Sequence, residues 1–222
     1  MSNSMNRTAL CLALLAAANV RAGTILFASD LVNESNNRTS ANVVIAAHPL
    51  WQPNFGTARW ISYDLTGNGQ PKSPANVTGT ITGAKAKAPT ATFYENFTLP
   101  YATNTGSVTV WADDTARVSI IGPSLARFVL WEANPVQGGA CANGPIGCLP
   151  QNGKTIDLKA ALPSAGAYKL QFDVYQRGGG PFGLLYSGSI DSQVPEPSTL
   201  GLAALGVGAI LLGARRSGIL RK

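Results

Sequence analysis

The chain has 222 residues, with 17 Lys and Arg against 11 Asp and Glu, a formal net charge of +6. The excess sits at the two ends. Between Gly23 and Val194 eleven cations face ten acids, so the middle has no basic stripe to follow a phosphate backbone, and a nucleic-acid partner is excluded. Only 13% of the residues are charged, which leaves Ser, Thr, Asn and Gly to keep the surface wet; that suits an exported β-protein better than a cytoplasmic enzyme.

Residues 1–22 have the layout of a secretory signal peptide: Arg7, an apolar run from Ala9 to Ala18, then small residues at Val20 and Ala22. A signal helix is expected here, with cleavage after Ala22. A lipoprotein signal built on Cys11 is disfavoured by the bulk of Leu10 just before it.

Residues 23–193 contain no amphipathic helical stretch of useful length. They break instead into about ten short runs of alternating polarity separated by Gly, Pro and Asn turns, the pattern of an all-β sandwich or barrel. Expected strands are 24–28, 42–47, 59–63, one carrying Phe93, Phe97 and Leu99, then 107–112, 117–120, 127–131, 155–158, 168–174 and 182–190. Asp113-Asp114-Thr115 is expected to close a hairpin between 107–112 and 117–120. Residues 67–89 are expected to be a long loop or a weak strand region, and 176–181, with three consecutive glycines, a turn between the last two strands.

The candidate chemistry is sparse. His48 is the sole histidine and stands beside Pro49 with no Gly-x-Ser-x-Gly elbow in the chain, so neither a catalytic triad nor a His-rich metal site is built around it. A secreted β-sandwich carbohydrate hydrolase, the alternative from the enzyme class, would need two carboxylates across a cleft. Glu34, Glu95, Glu132 and the aspartates supply acids without a signature, although Glu95 falls on the apolar parity of its strand. The chain is therefore read as non-catalytic, with no cofactor. Asp113 and Asp114 fit two readings, a turn chosen for its backbone geometry or a structural Ca²⁺ site built from carboxylate and backbone oxygens. Trp111 and Trp131 lie on the parity opposite their aliphatic neighbours, which suits either outward rings that stack on sugars or rings on a second buried face. Cys141 and Cys148, separated by a Gly/Pro-rich loop in an exported chain, are expected to form a disulfide.

The tail, 194–222, combines Pro195-Glu196-Pro197, an apolar small-residue segment at about 199–214, and a basic end, 215–222, opened by Arg215 and Arg216. The segment is short for a spanning helix, and its arginines can snorkel to the interface. Their charge places the end in the cytoplasm and the β domain outside. The two prolines keep the neighbourhood of Glu196 extended and accessible. The order of these three parts resembles the PEP-CTERM sorting signal of Gram-negative bacteria that make exopolysaccharide. That resemblance implies export across the inner membrane, a membrane-anchored intermediate held by a short C-terminal transmembrane helix, and removal of the tail by an exosortase-type enzyme. The cell surface or extracellular matrix is the implied destination, with exopolysaccharide as a candidate partner.

A second, looser resemblance covers roughly residues 40–191. Trp60-Ile61-Ser62, Phe97-Thr98-Leu99-Pro100, Val110-Trp111-Ala112-Asp113-Asp114 with Val118, Gly166-Ala167-Tyr168 leading into Leu170, Phe172 and Val174, and Gly180-Pro181-Phe182-Gly183-Leu184 are similar to galactose-binding-like domains. Such domains often carry Asn-Gly after the Asp-Asp pair, where this chain has Ile121-Gly122. The resemblance implies a single jelly-roll-like antiparallel β-sandwich.

Overall fold

Alternating polarity puts every second side chain on one face of a strand, and the strands here pair so that those faces meet. The computed structural model describes residues 23–135 and 144–192. Eleven strands are seen among them: β1 (Thr24–Ala28), β2 (Glu34–Asn36), β3 (Val43–Val44), β4 (Ile61–Ser62), β5 (Ala91–Leu99), β6 (Thr103–Asp113), β7 (Thr115–Ile121), β8 (Arg127–Trp131), β9 (Lys154–Asp157), β10 (Gly166–Tyr175) and β11 (Gly183–Ser192). The first sheet has the order β3–β4–β11–β6–β9, with β1 also pairing β11; the second runs β2–β5–β10–β7–β8, and every pairing is antiparallel. The described residues are thus mostly β, as expected, and include 3-10 turns at Pro150–Asn152 and Lys159–Ala161. The expected signal helix and C-terminal helix lie outside the described residues.

The two sheets face each other over one apolar core. Val108, Val110, Ala112, Leu184 and Ile190 of the first meet Phe93, Val118, Ile120, Leu170 and Phe172 of the second, all of them at most 1% exposed. Burying such a set is the main force holding the sheets together, at about 1.5–3 kcal/mol for each large side chain.

The 113–115 hairpin does not form. β6 pairs with β11 and β9 in one sheet, and β7 pairs with β10 and β8 in the other, so the chain changes sheets at Asp114. Asp113 is registered with Gly183 on β11, and Thr115 with Tyr175 on β10. The Asp114 carboxylate explains the corner: its Oδ2 accepts from the backbone N–H groups of Arg177 and Gly178, both at 2.6 Å, in the loop that carries β10 into β11. A tie between two sheet-changing segments replaces the turn that local sequence suggests.

A second apolar cluster lies on the far side of the first sheet, where Trp51, Trp60, Trp111, Ile45, Ala58 and Leu185 pack together. The Trp51 and Trp60 rings are 4.3 Å apart, and Phe55 meets Trp111 edge-on at 5.5 Å. Gly153 makes room for Trp111, since a Cβ there would fall 2.2 Å from the indole.

Candidate functional site

Three groups of buried carboxyls, rather than an open catalytic cleft, are the strongest chemical features of the described residues. The first comes from parity. Glu95 occupies the same face of β5 as Phe93 and therefore points between the sheets, where it is 3% exposed. β2 pairs with β5 so that Glu34 stands directly opposite Glu95. From the other sheet, Tyr186 of β11 reaches both: its hydroxyl lies 2.8 Å from Glu95 Oε2 and is hydrogen-bonded to Glu34 Oε1. Glu34 also accepts, through Oε2, from the Leu31 N–H at 3.0 Å and the Asn42 amide at 3.2 Å.

A phenol has one hydrogen to give. Two ionised carboxylates cannot both accept it, so one of the acids carries a proton and donates to the tyrosine oxygen. Burial pushes Glu95 up to about 8, against the hydrogen bond from Tyr186, with the charges of Glu34 and Asp30 adding to the rise. Burial likewise pushes Glu34 up to about 7, tempered by its bonds to Tyr186, Asn42 and Leu31. Like charges directly opposite on paired strands destabilise a sheet, and the shared proton removes that repulsion. The space between the carboxyls is filled by a hydroxyl, not by a sugar-sized opening, so the pair lacks the geometry a glycoside hydrolase needs.

The second group is Asp113 and Asp114, 5% and 4% exposed. Burial, reinforced by the neighbouring Asp114, pushes Asp113 up to about 10, while a hydrogen bond with Trp51 opposes the rise. Asp113 therefore stands neutral, and Asp114 is occupied by two backbone N–H groups. That donor set ties a sheet corner and does not present two free carboxylates to Ca²⁺. Among the described residues no three His, Cys, Asp or Glu side chains gather where one ion could be held.

The third group was not anticipated. Asp173 of β10, 2% exposed, faces Arg117 across the β10–β7 pair. Its Oδ2 accepts from Arg117 Nη2 at 2.7 Å, Arg117 Nε at 3.0 Å and Arg127 Nη2 at 2.5 Å; its Oδ1 accepts from Gln171 at 2.8 Å and Thr92 at 3.0 Å. Burial alone would raise this acid, but the bonds from Arg117, Arg127 and Gln171 outweigh it and hold Asp173 below the usual carboxylate range.

The tryptophans expected to stack on sugars are covered. Trp111 points away from the inter-sheet core, as its parity requires, but residues 45–60 roof it over; it is 9% exposed and its Nε1 donates to the Pro150 carbonyl at 3.3 Å. Trp131 is half-buried against the main core, with the Lys154 ammonium 4.1 Å from its ring centre. Neither offers an open platform. His48 accepts from the Leu50 N–H through Nδ1 at 3.2 Å, a local turn contact. Cys148 is fully buried, while Cys141, and with it the expected pairing, lies outside the described residues.

Glu95 carried a legible signal, a charged residue on an apolar parity. Its partners did not: β2 is three residues long, and Tyr186 reads as one more core aromatic of β11.

Comparison with known proteins bears on the C-terminus. Residues 193–217 match the PEP-CTERM protein-sorting motif. Pro195, Glu196, Pro197, Arg215 and Arg216 all fall inside that match, and all lie outside the described residues. The PEP-CTERM motif implies an exported chain, held by its C-terminus in the membrane before processing, and handled by exosortase-type machinery. No curated protein matches the chain.

Proposed function

We propose that this is a non-catalytic cell-surface or matrix protein: a signal peptide exports it, an exosortase-type enzyme cuts near Pro195–Pro197, and the β domain contacts exopolysaccharide outside the cell. The single observation that carries the reading is the PEP-CTERM match over residues 193–217. It is supported by a middle section in which eleven cations face ten acids, and by a sandwich whose buried acids are committed to structural bonds.

The strand order β4–β11–β6–β9 against β5–β10–β7–β8 favours a jelly roll, since from β4 to β11 the chain alternates between sheets at every step except β7 to β8. That arrangement supports the galactose-binding-like reading of the domain. A Cys141–Cys148 disulfide belongs to the same picture, because an oxidising compartment and a short Gly/Pro loop favour it.

Mass spectrometry of the mature protein from cells tests the reading. The expected product begins near Gly23, ends close to Pro195–Pro197 and carries Cys141 linked to Cys148. Molecules that all retain Lys222 would overturn the sorting step, and reduced thiols on a cytoplasmic product would overturn export.

A further inference from the structure

The outer face of the second sheet ends in a cleft of about 640 Å³ that the buried acids do not reach. Its floor is one cross-strand row: Asn96 of β5 is registered with Lys169 of β10, and Lys169 with Ile121 of β7. Asn33 forms one wall, fastened to the floor because its carbonyl accepts from the Asn96 amide nitrogen and side chain at 3.0–3.1 Å. The other wall is Leu125, at the tip between β7 and β8, 83% exposed. Lys169 is the one charged residue lining the cleft, and no acid lines it.

Apolar walls, two amides and a cation make a site for a ring that has one apolar face, hydroxyls and a negative charge. A further observation favours an acidic occupant. The domain is more cationic than its formal count: Asp113 is neutral and Glu34 and Glu95 hold one proton between them, leaving eight negative charges against eleven positive.

We propose that this cleft binds an acidic polysaccharide, with Lys169 pairing a uronic carboxylate, Asn33 and Asn96 meeting ring hydroxyls, and Ile121 and Leu125 covering an apolar sugar face. The proposal rests on the matrix reading above and specifies its ligand. Lys169 is half-buried with its ammonium 4.8 Å from the Tyr94 ring centre, so it can swing to a ligand without leaving a buried charge unpaired.

Titration calorimetry on the purified full chain in detergent micelles provides the test, with tetragalacturonate, its carboxyl-reduced tetragalactose and phosphatidylglycerol vesicles as probes. The expected result is binding of the oligouronide alone, weakened by added salt, about tenfold weaker in Lys169→Ala and weaker still in Lys169→Glu. Asn96→Ala should weaken it without changing the salt dependence. Equal binding of the reduced oligomer, or oligouronide binding indifferent to both Lys169 variants, would overturn the acidic cleft and leave the matrix reading intact. Binding to the vesicles in place of the oligouronide would overturn the cleft's assignment to a glycan. Failure of the wild-type chain to bind either oligosaccharide or the polysaccharide isolated from its own cells would overturn both readings of the domain, while the C-terminal cut remains a separate measurement.

Discussion

Asp173 and Glu95 lie on neighbouring strands of one sheet and are almost equally buried, at 2% and 3% exposure, yet their protonation behaviour is opposite. Asp173 points to the outer face and collects five hydrogen bonds, three of them from two guanidinium groups. Glu95 points inward and meets a single phenol that it shares with another acid. Burial is common to both; what differs is whether the buried charge finds a cation. With two arginines the ion persists in a dry setting, and without one the group keeps its proton.

The sharpest way to break this comparison is to remove the anion that two arginines share. Asp173→Ala should cost about 3–4 kcal/mol of unfolding free energy in urea titration, because Arg117 and Arg127 lose their common partner in a partly buried setting. A loss no greater than that of an exposed ion pair would show that the guanidiniums simply turn to water.

The next effect is pH. Folded Glu34 and Glu95 lie above their ordinary value of 4.5, near 7 and 8, so the native state holds more protons than the unfolded chain in that interval. Their contribution to stability is complete below about pH 4.5 and is lost as pH rises through about 8, a fall of roughly 3 kcal/mol for one shared proton. Asp173 has the reverse sign: its contribution is present above its unfolded value of 3.8 and is lost as pH falls below it. The groups facing the Glu pair are Tyr186, Asn42, the Leu31 N–H and the charge of Asp30, with no cation among those interactions. Thermal unfolding between pH 5 and 9 should show the decline in the wild type and a flatter profile in Glu95→Gln, whose amide keeps a donor at every pH. Identical slopes in the two proteins would remove the shared proton.

The smallest effect sharpens the role of the bridge. Tyr186→Phe keeps the ring that stacks on Phe172 at 4.5 Å and deletes only the hydroxyl. It should cost about 2 kcal/mol at pH 6, from two carboxyls that lose a common partner. A neutral result would mean that the acids bond directly to one another once the phenol is gone.

Much of the architecture was legible beforehand. β1 and β8 fall on the residues that alternation marks, and the run through Phe93, Phe97 and Leu99 is β5. The Gly- and Pro-rich stretch 67–89 carries no strand, and 176–181 links β10 to β11. Parity also placed Trp111 on the face away from the main core. It could not show that residues 45–60 would fold back and cover that face, because a roof is a contact between segments some fifty residues apart. The 113–115 hairpin failed for a related reason. Two alternating runs with a short polar link read as neighbours, whereas here each run found longer partners, β6 with β11 and β7 with β10.

Local pattern by itself determined most of the strands, though not β2, together with the near-neutral middle and the sorting motif, because alternation, charge and the Pro-Glu-Pro order are properties of adjacent residues. Tertiary structure alone decided which acids keep their protons. That depends on what stands across a pairing or across the sandwich, and Glu34, Glu95 and Tyr186 meet from three separate strands.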